Sequence, residues 1–262
     1  MYKGAVFFDV DGTLMDARHG VEAPTEKTID TIRRLTENGF LVGVATGRSK
    51  CYVPEFAKFF HCYVTSNGAH AEAGNTIISE RFIQPEALTK LTSYLDAAGM
   101  NYVLEGQRAC YCKNIKETYY LHMMKNYNFS DQCFYPLTDI HTIPVNKLMV
   151  TYDDAEKVTQ FKRAYEHLYD ITLQPGNQAC DVGMKGISKG YGVKQVIDYF
   201  QIDLAHTYAF GDADNDFEML QTVGTGIAMG IHSKKLEQAA RSITATVQED
   251  GIYQAAKKYG LI

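Results

Sequence analysis

Apolar runs and helical spacings alternate along the first part of the chain. Residues 5–8 and 40–45 are almost entirely apolar, which is typical of parallel strands buried on both faces. Between them, residues 24–39 carry apolar side chains at helical spacing, begin with Pro-Thr and end with Asn-Gly. A strand, a helix and a strand at this spacing predict a parallel βαβ unit, in which both strands end at the same edge of the sheet.

The pattern of helix-like and strand-like runs changes in the middle of the chain. After a short apolar strand at residues 62–65, helical patterns alternate from Phe82 to Met184 with strand-like runs at residues 101–105, 109–113, 146–152 and 171–174. The earlier βα pattern then resumes, with a helix after Ser188 and a strand at 206–210, and the chain closes with a strand at 243–247 and a helix at 251–259. We therefore predict a core formed by residues 1–82 and 185–262, with residues 83–184 inserted as a second α/β domain.

Two carboxylates stand where the first strand ends. Asp9 and Asp11 are one position apart and are followed by Gly12, which would let the backbone turn sharply. A strand-end aspartate can attack phosphorus and become an aspartyl phosphate, while a second carboxylate beside it can move protons as general acid and base. The same string also fits a plain turn with Asx hydrogen bonds, so it does not define the chemistry alone.

The next two strands also end in polar residues. Thr46 and Gly47 follow the second strand, where a hydroxyl and a backbone amide could hold a phosphate oxygen, although Thr46 could also cap a helix. Asn67 follows the third strand, and its Ser-Asn-Gly context favours a turn over a place in the site.

A lysine occupies an unusual helix position. Ser188 is a good N-cap, so Lys189 falls in the first turn of the helix, where a cation opposes the helix dipole. Functional residues are expected where a sequence departs from a local preference, such as the preference against a cation in the first helical turn. The alternative interpretation is that Lys189 is an exposed surface lysine.

Acidic residues follow the strand at 206–210. Asp212, Asp214 and Asp216 alternate as in an EF-hand loop, but the glycine and glutamate that such a loop requires are missing. Asp214 and Asp216 suit the start of a helix. Asp212 stands at the strand end itself, and with Asp9 and the region of Asp11 it would form a small oxygen site suited to Mg²⁺.

Composition narrows the classes of partner. The 262 residues carry a net charge of −5 without a basic stripe, which argues against nucleic acid and anionic membranes as partners.

Residues 1–4 lead directly into a strand, and the six cysteines form no CxxC pair, which predicts free thiols, no signal peptide and a cytoplasmic location. Cys110 and Cys112 fit two side chains on one strand face better than a metal pair. The glycines after Val223 lack dinucleotide-binding spacing.

Four segments in this order resemble the haloacid dehalogenase superfamily of phosphohydrolases. They are Asp9-Val10-Asp11-Gly12-Thr13, Ala45-Thr46-Gly47-Arg48, Ser188-Lys189-Gly190 and Gly211-Asp212-Ala213-Asp214-Asn215-Asp216. Residues 66–69 and 249–252 are similar to the Cof-like subgroup. The resemblance implies a Rossmann-like parallel-sheet core with an inserted α/β cap of the C2 type that selects the substrate.

The resemblance also implies a role for each matched residue. Asp9 would be the nucleophile and a metal ligand, Asp11 the general acid and base with its backbone carbonyl on the metal, and Asp212 a further metal ligand. The phosphoryl group would be bound by Thr46, Gly47, Lys189 and Asn215. Asp216 would hold the binding residues in position without itself binding the phosphoryl group.

The expected activity is therefore a Mg²⁺-dependent phosphomonoesterase that acts on small phosphorylated metabolites, with sugar phosphates first among them, through an aspartyl phosphate. We expect a monomer or a small homo-oligomer. Two alternatives stay open. The same site could move phosphate within a substrate, as a phosphomutase or phosphotransferase does, or it could be a phospho-ligand binding module without catalysis.

Overall fold

The strands and helices of the protein come from a computed structural model that describes residues 2–113, 133–174 and 178–262. The strands are β1 Gly4–Phe8, β2 Phe40–Ala45, β3 Cys62–Thr65, β4 His70–Ala73, β5 Thr76–Glu80, β6 Asn101–Glu105, β7 Cys110–Cys112, β8 Phe134–Pro136, β9 Lys147–Thr151, β10 Tyr169–Gln174, β11 Ala179–Met184, β12 Thr207–Gly211, β13 Thr225–Ala228 and β14 Ser242–Ile243. The α-helices are α1 Glu26–Glu37, α2 Pro85–Ala97, α3 Ala155–Tyr165, α4 Lys189–Phe200, α5 Phe217–Thr222 and α6 Gly251–Lys258.

Strand β1 lies near the middle of a parallel sheet. The spatial order is β14-β13-β12-β1-β2-β3-β4-β5, and the first six of these strands run parallel to one another. Strand β4 runs antiparallel to β3. All residues of β1 and β2 are buried, as expected for strands covered on both faces. The parallel pairing of β1 and β2 around α1 confirms the predicted βαβ unit.

The ends of α1 show why the sequence signals were informative. The Thr25 hydroxyl accepts a hydrogen bond from the Thr28 amide and caps the first turn. The helix ends at Glu37, followed by Asn38 as the C-cap and by Gly39 at a φ of +86°. Its buried face includes Ile32 and Leu35, which follow the predicted periodicity.

The described residues divide into two compact units. The core unit comprises residues up to 47, 54–79 and 188–262, and the inserted unit comprises residues 48–53 and the described part of 80–187. The predicted boundaries were 82/83 and 184/185, and the sequence did not predict that residues 48–53 belong with the insertion. The role of the inserted unit as a specificity cap stays a prediction.

The inserted unit is a mixed sheet with helices on one face. Its strands have the order β10-β11-β9-β6-β7-β8. The apolar faces of α2 and α3 pack on one side of this sheet, in a cluster that includes Leu91, Phe161 and Leu104. Val103, Cys110 and other side chains form a second cluster, which matches the alternation of strand residues between two faces. Cys110 and Cys112 both belong to this second cluster and so lie on one face of β7, as predicted; both are buried.

These observations confirm the predicted fold class, an α/β protein with a parallel-sheet core and an inserted α/β unit. Among the described residues, no helix is both long and apolar enough to span a membrane.

Candidate active site

Polar residues of the core unit gather at the carboxyl ends of three adjacent parallel strands. Asp9 follows β1, Thr46 follows β2, and Asp212 follows β12. The Asp9 amide donates to the Phe210 carbonyl at 3.0 Å, which ties the end of β1 to β12. Ligands bind at this edge in parallel α/β sheets, so the sheet itself concentrates these groups.

Lys189 links two aspartates inside the protein. Its Nζ donates to Asp9 Oδ1 at 2.6 Å and to Asp216 Oδ1 at 2.7 Å, and the lysine is 1% exposed. Lys189 is the first residue of α4, which Ser188 caps by accepting a hydrogen bond from the Tyr191 amide, as predicted. Burial lowers the pKa of Lys189, but attraction to Asp216 and Asp9 outweighs burial and raises it above its ordinary value. The lysine therefore carries a permanent positive charge beside the Asp9 carboxylate.

Asp216 holds both the lysine and the loop that carries Asp212. Its Oδ2 accepts hydrogen bonds from the Asp212 and Ala213 amides, each at 3.0 Å, while its Oδ1 accepts from Lys189. Asp216 is completely buried. These contacts use both of its oxygens, and the supporting role that the resemblance implies for Asp216 stays a prediction.

The turn after β1 folds tightly against Asp212. The Val10 carbonyl accepts hydrogen bonds from the Leu14 and Met15 amides at 3.0 Å, and Gly12 has a φ of +92°. A Cβ atom at Gly12 would lie 2.2 Å from Asp212 Oδ2, so only glycine fits there. The Thr13 hydroxyl donates to Asp212 Oδ1 at 3.1 Å, a contact that the sequence did not predict. Asp11 is half-buried in this turn.

Negative charge accumulates at this edge of the sheet. Burial, together with repulsion from Asp216, raises the pKa of Asp9 to about 7 in spite of Lys189. Burial and the neighbouring Asp9 likewise raise the pKa of Asp212 well above its usual range. Both shifts mean that ionised carboxylates here lack enough positive charge around them.

Three carboxylates are close enough to hold a metal ion. Asp9, Asp212 and Asp216 each offer one oxygen, and these oxygens lie within 4.8 Å of one another. Asp216 is already bound to Lys189 and two amides, so Asp9 and Asp212 have fewer competing contacts. Oxygen ligands of this kind suit a hard divalent cation, which would also balance the excess negative charge. The donor set therefore fits such a cation.

A second polar group surrounds Gly47. Asn215 Nδ2 donates to Asn67 Oδ1 at 3.0 Å, and the Asn67 amide donates to the Thr46 carbonyl at 3.1 Å. A Cβ atom at Gly47 would lie 3.1 Å from Asn67 Oδ1 and 3.6 Å from Asn215 Nδ2. Asn67 thus joins the loops after β2 and β12, and Thr46 is 1% exposed.

The structure brings the predicted residues other than Asp11 together in two groups. Asp9, Lys189, Asp212 and Asp216 form one group, and Thr46, Gly47 and Asn215 meet around Asn67 in the other. Asn67 does form the predicted turn, with a φ of +52°, but its side chain also belongs to the second group. Its position after a strand of the parallel sheet was the signal that could have favoured this role.

Comparisons with known proteins agree with this fold. A family model described as haloacid dehalogenase-like hydrolase matches residues 6–255. The YkrA protein of Bacillus subtilis (strain 168), named as a candidate phosphatase, is 30% identical over 98% of both chains. The 5-amino-6-(5-phospho-D-ribitylamino)uracil phosphatase YitU of the same organism is 25% identical over 97% of this chain and 96% of its own.

A solved structure has the same fold. It is a sugar phosphatase of haloacid dehalogenase subclass IIB, with a TM-score of 0.87 and 24% identity, over 99% of this chain and 100% of its own. The chain belongs to the haloacid dehalogenase-like hydrolases, which confirms the resemblance and the predicted enzyme class.

Proposed function

We propose that the protein is a Mg²⁺-dependent phosphomonoesterase that forms an aspartyl phosphate on Asp9. The observation that carries the proposal is the buried contact between Asp9 and Lys189 at 2.6 Å, beside the Asp212 carboxylate. A nucleophilic carboxylate needs a fixed orientation, and a phosphoryl group needs positive charge around its oxygens. Lys189 would supply both.

In the first step, a carboxylate oxygen of Asp9 bonds to phosphorus while the bond from phosphorus to the ester oxygen breaks. Asp11 would give its proton to the departing oxygen. In the second step, Asp11 would take a proton from water, and this water would attack the same phosphorus. Inorganic phosphate leaves, and the Asp9 carboxylate is restored.

The remaining residues would bind and orient the phosphoryl group. Thr46, Gly47 and Asn215 would face its oxygens from the second polar group, while Lys189 would balance charge that develops during the transfer. Asp9, Asp212 and the backbone carbonyl of Asp11 would hold Mg²⁺, and Asp216 would keep Lys189 and the Asp212 loop in place. When bound, the ion would supply Lewis-acid stabilisation of the phosphoryl oxygens.

The substrates would be small phosphorylated metabolites, with sugar phosphates as the first class to test. The inserted α/β unit supports this choice, because it is large enough to select a leaving group. The relative that dephosphorylates a phosphoribityl compound agrees with a polyhydroxylated leaving group. We further infer a cytoplasmic location, which the free state of all six cysteines supports.

The proposal is tested by measuring phosphate release from a panel of phosphorylated metabolites, with Mg²⁺ and with a chelator. Asp9→Asn should lower turnover by at least about 10³-fold with the melting temperature largely kept. Asp214→Asn is the matched control, because Asp214 is an exposed acid of the same loop, and it should retain activity within about twofold.

Three results would count against the proposal. Substantial turnover by Asp9→Asn would exclude Asp9 as the nucleophile. Movement of phosphate within the substrate, without release, would indicate a phosphomutase. Binding of phosphorylated metabolites without any turnover across the panel would indicate a binding module.

A further inference from the structure

Three cysteines of the inserted unit form a thiol cluster that the proposed function does not use. Cys51 Sγ and Cys110 Sγ are 3.6 Å apart, and Cys133 is hydrogen bonded to both thiols. They come from three separate places in the chain: the 3-10 turn Lys50–Tyr52, the start of β7, and the residue before β8. The fold therefore assembles the cluster from distant segments.

The cluster is shielded unevenly from solvent. Cys110 is 0% exposed and Cys133 is 7% exposed, whereas Cys51 is only partly buried. Apolar side chains such as Val103, Met149 and Phe134 pack around the three sulfurs. A small reagent would thus reach Cys51 before the more deeply buried Cys110.

Hydrogen bonds connect the three thiols and shift their pKa values. Hydrogen bonds from Cys110 and Cys51 lower the pKa of Cys133 to about 4, while burial and the hydrogen bond with Cys133 raise the pKa of Cys110. The hydrogen bonds therefore favour the deprotonated form of Cys133, while the pKa of Cys51 and that of Cys110 are both raised.

We propose that Cys51 and Cys110 are a thiol–disulfide exchange site that small aliphatic disulfides oxidise to an intramolecular disulfide. Cys51 loses its proton to water and attacks one sulfur of the small disulfide, which forms a mixed disulfide and releases one small thiolate. Cys110 then attacks the Cys51 sulfur and releases the second. The two small thiolates take up the two protons that Cys51 and Cys110 lose. Two cysteine thiols and one small disulfide thus give one cysteine disulfide and two small thiols.

The other three cysteines lie outside this arrangement. Cys62 lies in the core of the core unit, and Cys180 lies in the helix-side cluster of the inserted unit. Cys112 is on the same strand as Cys110, but its sulfur is oriented toward the Tyr135 carbonyl at 4.0 Å. We expect these three residues to stay reduced under conditions that oxidise Cys51 and Cys110.

The test is incubation of the folded full-length protein with glutathione disulfide, followed by a count of free thiols in denaturant. The count should fall from six to four, and peptide mapping should identify one bond, between Cys51 and Cys110. Cys112→Ser is the matched control and should still lose two thiols. Cys51→Ser should form no intramolecular disulfide, and its circular dichroism and melting temperature should match those of the parent protein.

The proposal is overturned if no thiols are lost, if only glutathione adducts appear, or if the mapped bond joins another pair. It is also overturned if Cys51→Ser forms an intramolecular disulfide to the same extent as the parent. These readouts do not involve phosphate release, so their outcome is independent of the proposed function.

Discussion

Gly12 shows how closely a single backbone position constrains the candidate site. It combines a left-handed conformation with the contact to Asp212. Gly20, eight positions later, has a φ of +82°, but a Cβ atom added there would meet no atom of the described residues within 4 Å. Substitutions at the two glycines therefore distinguish the cost of backbone strain, which both positions share, from the effect of crowding Asp212, which is confined to Gly12.

We expect Gly12→Ala and Gly20→Ala both to lose about 1 kcal/mol of stability from the left-handed backbone. Only Gly12→Ala should also lower kcat/KM, by about tenfold or more, because Asp212 must move. Thermal unfolding and phosphate release under saturating Mg²⁺ measure the two effects. Equal activity in the two variants would show that the contact with Asp212 does not matter to the reaction.

Asn67 connects the loops after β2 and β12, because its backbone amide donates to the Thr46 carbonyl and its side chain accepts from Asn215. Asn67→Gly keeps the left-handed backbone accessible but removes the acceptor of Asn215 Nδ2. We expect KM to rise about 2–10-fold, the value of one hydrogen bond, with a smaller change in kcat. Gln201→Gly, at a left-handed helix end, is the control and should leave both constants unchanged. An unchanged KM in Asn67→Gly would mean that Asn67 serves only to form the turn.

At the scale of elements, strong hydrophobic periodicity predicted the positions of strands and helices well. Strand β2 has its predicted bounds, and α1 fills the interval between its Pro-Thr and Asn-Gly signals. Strand β14 is only Ser242–Ile243, shorter than the predicted 243–247. Strand β13 was not predicted, and the small residues there pack closely against α5. Burial in the sheet decided the conformation, and local propensity did not.

The gathering of Asp9, Thr46 and Asp212 was predictable for a simple reason. Parallel strands end at one edge, so residues after those strands must meet. The bond between Asn67 and Asn215 and the contacts of Asp216 were not predictable in detail. They depend on left-handed residues and on loop geometry, which no periodic pattern encodes.

Strand β9 carries a second buried lysine, in the inserted unit. Lys147 Nζ lies 2.6 Å from Asp181 Oδ1 and 3.3 Å from Glu105 Oε2, and its side chain is 4% exposed. Burial raises the pKa of Glu105 even with this lysine beside it. The sheet therefore depends on Lys147 to balance two acids.

Lys147→Met should destabilise the protein by roughly 3–5 kcal/mol, because it leaves two carboxylates without a cation in a buried setting. Lys113→Met removes an exposed pair with Asp96 and should cost no more than about 1 kcal/mol. The midpoints of urea unfolding compare the two. Similar midpoints would mean that the ion pairs of Lys147 contribute little to stability.

At the scale of the whole molecule, the candidate site draws on both ends of the sequence. Residues near position 10 meet residues near positions 190 and 215, and the family model spans 6–255. The proposed chemistry therefore needs the complete core unit. Asp9 is the residue around which these distant segments of the unit meet.

The most direct test of Asp9 is chemical trapping of the aspartyl phosphate. Asp11→Asn should slow hydrolysis of this intermediate, while 4-nitrophenyl phosphate forms it readily because its leaving group needs no proton. Borohydride reduces an acyl phosphate to an alcohol, so mass spectrometry should find homoserine at position 9 after quenching. Homoserine at another acidic position, or at none, would contradict the assignment of Asp9 as the nucleophile.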